Sequence, residues 1–270
     1  MMRQLRLVSL ALVLLLAGCS TGTAAPSLSG SPAGAAQLTV FAAASLQGAM
    51  VAAKAAYEAS HPGTTVTIST GSSAALETQI EQGAPADVFL SADTTNAQRL
   101  VTHGFASGNA IVFARNDLAV IVPVDDPGGV TTPADLAKPG LRIIAAGEAV
   151  PITKYAEKLV ANLAAQPGYP SGFAAAYAAN VASREDDVKA VVAKIELGEG
   201  DAGIVYVTDA AASTKVRTVA VPAAANVPAT YAGDVVKASP RQAAAAGFLE
   251  WFAGSDGQAV LSRFGFEPPP

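Results

Sequence analysis

The sequence contains a single cysteine, Cys19, so a disulfide bond within the chain is excluded. Histidine is nearly as scarce, with only His61 and His103. His61 precedes a proline and His103 precedes a glycine, settings that favour a turn and a helix end at the surface. The sequence therefore does not predict a metal site of histidine and cysteine, because both the ligands and their spacing are lacking.

Charge is also sparse. Charged residues make up 14% of the 270 residues, the net charge is −5, and no basic stripe is visible, so a nucleic-acid partner is not expected. Hydrophobic residues reach 51%, which excludes a disordered chain. The length is sufficient for one large domain or two medium ones with a sizeable core.

Long apolar runs are missing except near the N-terminus. There, Arg3 and Arg6 precede an apolar stretch from Leu7 to Ala17. This order predicts a secretory signal peptide over residues 1–18, and the run is too short for a stable membrane span. Removal of the segment lowers the net charge from −5 to −7, because it carries both arginines and no acid.

The signal peptide ends in Leu-Ala-Gly-Cys, which resembles the bacterial lipobox. The resemblance implies cleavage before Cys19 and attachment of lipid to its sulfur. Residues 19–36 are rich in Ser, Gly, Ala and Pro and are typical of a flexible tether. We expect a protein anchored by lipid on the extracytoplasmic face of the cell membrane, with no other contact with the membrane.

Strand-like and helix-like segments alternate beyond residue 37. LTVFAA, TTVTIST, DVFLSA and LRIIAAG are typical of strands, and helical segments such as LQGAMVAAKAAYEAS and SAALETQIEQ follow two of them. This alternation predicts an α/β fold of two lobes, each a mainly parallel sheet flanked by helices. We assign 37–120 plus 228–270 to lobe 1 and 121–227 to lobe 2, joined by a two-strand hinge.

Serine follows a strand and precedes a helix at two places. Ser45 is the first residue able to cap the helix after LTVFAA, and Ser73 is well placed as the N-cap after Gly71. Ligands of open α/β sheets bind beyond the carboxyl ends of strands, where helix N-termini converge. Either serine alone is explained by plain capping.

Three further positions offer hydrogen-bond donors. Pro151 suits a helix start, which leaves the N–H of Ile152 free. Ser183 or Asp186 could cap a helix whose first turn includes Val188. Tyr206 lies in an apolar strand, and a buried tyrosine normally needs a partner for its hydroxyl. An ordinary helix start and core packing would also explain these positions.

Six segments resemble, in order and spacing, the periplasmic molybdate-binding proteins of bacterial ABC importers, which have the type II periplasmic-binding-protein fold. They are FAAASL, GSSAALETQIEQGAPADVFLSAD, VPITKYAEKL, DDVKAVV, AGIVYVTDA and the terminal GQAVLSRFGF. The resemblance covers residues 38 to 267, and the stretch from 71 to 93 is its most specific part.

The resemblance implies a site of two serines, two backbone amides and a tyrosine hydroxyl. By matching motif these fall on Ser45, Ser73, Ile152, Val188 and Tyr206, with Ser72 as the alternative to its neighbour. Ile152 is bulkier than the small residue expected there, although only its N–H is needed. The ligand would be molybdate, with tungstate equivalent in size and charge, and the metal would be held through its oxygens.

The resemblance also implies a monomer without enzymatic activity or cofactor, which delivers its anion to an ABC permease and the ATPase of that permease. The proposed donors include no lysine or arginine, and hydrogen bonds alone can hold a dianion at helix N-termini. Such a set favours anions that carry no proton, and hydrogen phosphate is disfavoured if Asp186 and Asp187 point away.

Three alternatives remain open at this point. The same fold could bind sulfate or another oxyanion. An anchored serine hydrolase would need a nucleophile beside a base, but the chain has no Gly-x-Ser-x-Gly elbow. A surface adhesion module would use the same junctions as plain helix caps.

Overall fold

The structure is a computed structural model of the 270-residue chain, and it describes residues 36–270. The predicted signal peptide, the lipidated Cys19 and nearly all of the tether lie outside these residues. The described part contains two five-stranded sheets with helices packed on them. This arrangement confirms the predicted α/β class.

The first sheet has the strand order β2-β1-β3-β10-β4. Its strands are β1 (Ala36–Ala43), β2 (Thr64–Gly71), β3 (Val88–Ser91), β4 (Ile111–Asn116) and β10 (Ala229–Val235). β1 pairs in parallel with both β2 and β3, whereas β10 runs antiparallel to β3 and β4.

The second sheet has the order β7-β6-β8-β5-β9. Its strands are β5 (Leu118–Pro123), β6 (Ile143–Ala146), β7 (Val181–Glu185), β8 (Ala202–Tyr206) and β9 (Val216–Val219). β6 pairs in parallel with β7 and β8, and β5 runs antiparallel to β8 and β9. Both sheets are therefore mixed, because each contains one reversed strand.

Nine α-helices are found between Ala36 and Pro270. They are α1 (Gln47–Ser60), α2 (Ser73–Glu81), α3 (Thr94–Thr102), α4 (Pro151–Ala164), α5 (Phe173–Ala179), α6 (Val188–Glu196), α7 (Val207–Ala211), α8 (Gln242–Ala253) and α9 (Ser255–Arg263). Short 3-10 helices cover Ala44–Leu46 and Pro133–Ala137. Within the described range, none of the helices combines the length and the hydropathy that a membrane crossing requires.

The chain passes between the sheets twice. The first passage lies between β4 and β5, around Asp117, and the second lies between β9 and β10. Asn226 ties the two passages together, because its Oδ1 accepts from the N–H of Leu118 at 3.1 Å and its Nδ2 donates to the carbonyl of Leu118 at 3.0 Å. This geometry is compatible with a two-strand hinge, which stays a prediction together with the lobe boundaries.

The caps predicted for α2 and α6 are wrong. Helix α2 begins at Ser73, so its N-cap is Ser72, and no side chain bonds the first turn. Helix α6 is capped by Asp187, whose Oδ1 accepts from the N–H of Ala190 at 3.0 Å, whereas Ser183 lies within β7. In each case several adjacent polar residues could cap, and the backbone angles select the one that precedes the first helical residue.

Candidate functional site

Parallel pairing brings two serines to one edge of the first sheet. Ala43 at the end of β1 pairs with Gly71 at the end of β2, so the segments that follow these strands leave the sheet side by side. Ser45 lies in the 3-10 helix after β1, and Ser73 is the first residue of α2 after β2. Both serines are buried, with exposed fractions of 6% and 1%.

The second sheet presents its donors in the same way. Strands β6, β7 and β8 are parallel, so the segments that follow them leave from one edge. Ile152 is the second residue of α4, Val188 is the first residue of α6, and Tyr206 ends β8. Helix geometry leaves the N–H groups of Ile152 and Val188 without an intrahelical acceptor.

These five residues line a single small cavity. The remaining lining residues are small or adjacent to the five, namely Ala43, Ala44, Gly71, Ser72, Ala92, Val150, Pro151 and Asp187. The structure therefore brings together all the residues that the sequence predicted, although their binding role stays a prediction.

The hydroxyl of Tyr206 is the clearest unsatisfied donor in the cavity. The residue is 1% exposed, and its Oη has no hydrogen-bond partner within residues 36–270. Burial raises the pKa of Tyr206 well above its usual range, so the hydroxyl keeps its proton at any physiological pH. A buried donor without an acceptor is costly and indicates a missing partner.

The two serine hydroxyls have partners that leave a proton available. Ser73 Oγ accepts from the N–H of Ala92 at 3.0 Å, so its own hydrogen can point elsewhere. Ser45 Oγ lies 2.9 Å from the hydroxyl of Tyr231 and does not cap a helix, which corrects the capping interpretation. Tyr231 belongs to β10, 186 residues away in sequence, so no local pattern could have revealed this contact.

The charge around the cavity is low. Of the described residues that line it, none is lysine or arginine, and Asp187 is the one acid. Asp187 uses Oδ1 to cap α6, so that oxygen is already occupied. The N-termini of α4 and α6 both point partial positive charge at this volume. An anion without protons suits such a site, because it needs only donors.

Two other features lie outside this cavity. A mostly apolar cavity of about 190 Å³ lies between α4, α5 and the second sheet and adjoins the anion cavity at Ile152. In addition, one ligand atom from each of Glu77 and Glu81 on α2 and His103 at the end of α3 lies within 4.8 Å of the others, a proximity that the sequence did not predict. There, Arg99 pairs with Glu77 and His103 pairs with Glu81, so the cluster already has internal partners.

The chain resembles known solute-binding proteins in sequence and in fold. Residues 38–267 match the family of the bacterial extracellular solute-binding proteins. The molybdate-binding protein ModA of Mycobacterium bovis is 34% identical over 264 residues, which cover 97% of each chain.

Solved structures agree with this comparison. The periplasmic molybdate-binding protein of Azotobacter vinelandii has a TM-score of 0.73 at 25% identity and covers 86% of this chain and 100% of its own. The sulfate-binding protein SubI of Mycobacterium tuberculosis has a TM-score of 0.77 at 22% identity, over 86% and 87% of the two chains, and shows the fold alone. The family is one of binding proteins for transport and not of enzymes, and this chain belongs to it: it is a bacterial extracellular solute-binding protein, related to the molybdate-binding proteins.

Proposed function

We propose that this protein captures molybdate, and also tungstate, outside the cytoplasm and delivers the anion to an ABC permease. The observation that carries the proposal is the convergence of donors from both sheets on one small cavity, where the Tyr206 hydroxyl has no partner among residues 36–270. The relatives named as molybdate-binding proteins support the choice of anion.

The proposed ligand contacts are the hydroxyls of Ser45, Ser73 and Tyr206 and the N–H groups of Ile152 and Val188. Each hydrogen bond to a charged partner contributes about 1.5–3 kcal/mol. Several of them, less the costs of desolvation and ordering, are sufficient for micromolar binding, which needs about −8 kcal/mol. Because the contacts come from both sheets, we propose that the two lobes close over the anion by a hinge motion.

Calorimetry with a panel of oxyanions tests the choice of ligand. We expect molybdate and tungstate to bind, and to raise the melting temperature by mass action, while sulfate and phosphate bind at least about 10-fold more weakly. Sulfate is the second candidate, because a sulfate-binding protein shares the fold. If sulfate displaced molybdate at equal concentration, the anion would be misassigned. A flat response to every oxyanion would instead support an adhesion module.

The anchor has its own test at Cys19, which lies outside the described residues. We propose that lipid on the Cys19 sulfur holds the protein at the membrane through the tether. The Cys19→Ser variant is expected to move from the membrane fraction to the soluble extracytoplasmic fraction, because one oxygen replaces the sulfur that carries the lipid. Fractionation of cells with an antibody measures this, and Ser20→Ala is the control. Retention of Cys19→Ser in the membrane fraction would contradict lipidation at this residue.

A further inference from the structure

A chain of buried polar groups lies behind Ser45. The Ser45 hydroxyl is 2.9 Å from the hydroxyl of Tyr231, which is 3.4 Å from Asn116 Nδ2. The same amide nitrogen donates to Thr208 Oγ1 at 2.8 Å. Tyr231 is fully buried and Asn116 is 1% exposed. These hydrogen bonds join the end of β4 and the strand β10, both in the first sheet, to helix α7, which follows β8 of the second sheet.

The direction of these hydrogen bonds follows from the chemistry of the amide. In this structure Asn116 Nδ2 faces Thr208 and Tyr231, and its two hydrogens match these two acceptors, whereas Asn116 Oδ1 is buried without a partner within residues 36–270. The Tyr231 oxygen therefore receives a hydrogen from Asn116, and its own hydrogen is left for Ser45 Oγ. Burial, and next to it the charge of Asp209, raises the pKa of Tyr231 well above its usual range, so that hydrogen stays in place.

Ser45 is then an acceptor toward Tyr231, and its hydroxyl hydrogen must point elsewhere. The residue lines the anion cavity, which offers the remaining direction. We propose that Asn116 and Tyr231 are positioning residues that direct the Ser45 hydroxyl hydrogen into the cavity. The Ser45 hydroxyl is then a donor toward the anion and never an acceptor. The inference rests on the proposed function and adds a specificity device to it.

A fixed donor at Ser45 distinguishes oxyanions by protonation. Molybdate has no proton near neutral pH, and all its oxygens accept. Hydrogen phosphate carries one hydroxyl, which would face the Ser45 hydrogen without an acceptor, and an unpaired donor is costly in a buried site. Asp209 on α7 and Tyr155 on α4 act on Tyr231, and Asp187 lines the cavity. These groups are unchanged in the variants below, so they cancel in the comparison.

The variant Asn116→Asp tests the proposal, because it should reverse the direction of the hydrogen bonds from residue 116 through Tyr231 to Ser45. At mildly alkaline pH the new carboxylate accepts the Tyr231 hydrogen, Tyr231 accepts from Ser45, and Ser45 presents lone pairs to the cavity. Calorimetry with molybdate and with inorganic phosphate gives both dissociation constants. We expect molybdate to bind about 10-fold more weakly and the preference for molybdate over phosphate to fall by about 10-fold or more. Asn116→Leu, of similar size, should weaken molybdate without shifting the balance toward phosphate.

Each outcome has a defined meaning. An equal loss in Asn116→Asp and Asn116→Leu with an unchanged preference would overturn the inference, since Asn116 would then act by packing alone. An unchanged preference in Asn116→Asp with normal molybdate binding would mean that the amide faces Tyr231 with its oxygen, which also overturns it. If the unaltered protein bound no oxyanion, the proposed function itself would fail, and the inference with it.

A double-variant cycle distinguishes an effect of Asn116→Asp that acts through the Ser45 hydroxyl from the effect of a misfolded variant. In the Ser45→Ala background no hydroxyl remains for the chain to orient, so adding Asn116→Asp should leave the molybdate-to-phosphate preference unchanged. Tyr231→Phe gives a second measurement, because it removes the donor to Ser45 and should lower the preference in the same direction. A full effect of Asn116→Asp that persists without the Ser45 hydroxyl would contradict the relay.

Discussion

The double variant Ser45→Ala/Tyr206→Phe is expected to bind molybdate about 10²–10⁴ times more weakly than the unaltered protein, because it loses two hydrogen bonds to a charged partner at roughly 1.5–3 kcal/mol each. The two hydroxyls come from different sheets and line the same cavity. Both substitutions remove a single oxygen each and keep the remaining packing. Isothermal titration calorimetry or competition for the anion measures the loss.

A matched control removes the same two chemical groups elsewhere. Tyr57 and Ser60 lie on α1, outside the cavity, so Tyr57→Phe/Ser60→Ala should bind molybdate normally. Circular dichroism shows whether each variant is folded. If the site variant bound molybdate as tightly as the unaltered protein, Ser45 and Tyr206 would not be ligand contacts. If the site variant and the control both bound more weakly, the cause would be a change in stability.

The second large effect concerns stability and comes from Asp234. This residue lies in β10, is 1% exposed, and neither of its carboxylate oxygens has a hydrogen-bond partner within residues 36–270. Burial raises its pKa from the usual 3.8 to about 7. Between these two values the native state holds a proton that the unfolded state has released, so stability falls as pH rises.

The loss amounts to about 4 kcal/mol once the pH exceeds 7, at about 1.4 kcal/mol for each unit of the pKa difference. Asp234→Asn removes the titration, so we expect the variant to match the unaltered protein near pH 4 and to be more stable above pH 7. Urea unfolding across this pH range measures the difference. The comparison between the two proteins is decisive, because burial also raises the pKa of Asp209 and Glu77.

Asp125→Asn is the control for Asp234→Asn, because Asp125 is exposed and lies in a turn. It should follow the pH dependence of the unaltered protein throughout. If Asp234→Asn kept that same dependence, the proton would not reside on Asp234. A loss of stability at all pH values would instead show that the carboxyl makes a necessary contact with its surroundings.

The junctions between strands and helices at the site could be predicted from sequence, because the residues that determine them are neighbours in the chain. An apolar or β-branched run followed by serine and helix-forming residues predicts β1 with Ser45 and β2 with Ser73, and the structure has both. The proline before Ile152 predicts the start of α4 for an equally local reason. The choice of the five site residues, in contrast, came from the resemblance to a family.

Strands β7, β9 and β10 were not predicted from the sequence, and for β7 and β10 the reason is physical. β7, VASRE, is a partly exposed edge strand with two charged residues, so it shows no buried run. β10, ATYAGDV, has glycine and a buried aspartate in its interior, both of which are depleted in strands. The partnership of Ser45 with Tyr231 was hidden for the same reason, since it depends on where β10 inserts.

The position of β10 has a consequence for how the polypeptide acquires its shape during synthesis. All strands of the second sheet come from one continuous stretch, Leu118 to Val219, so that sheet can assemble as soon as this stretch has left the ribosome. The first sheet contains β1 to β4 early, yet β10 must insert between β3 and β4 before the order is complete. Its closure therefore waits for residues 229–235, so β3 and β4, which are made early, are among the last strands to reach their final pairing.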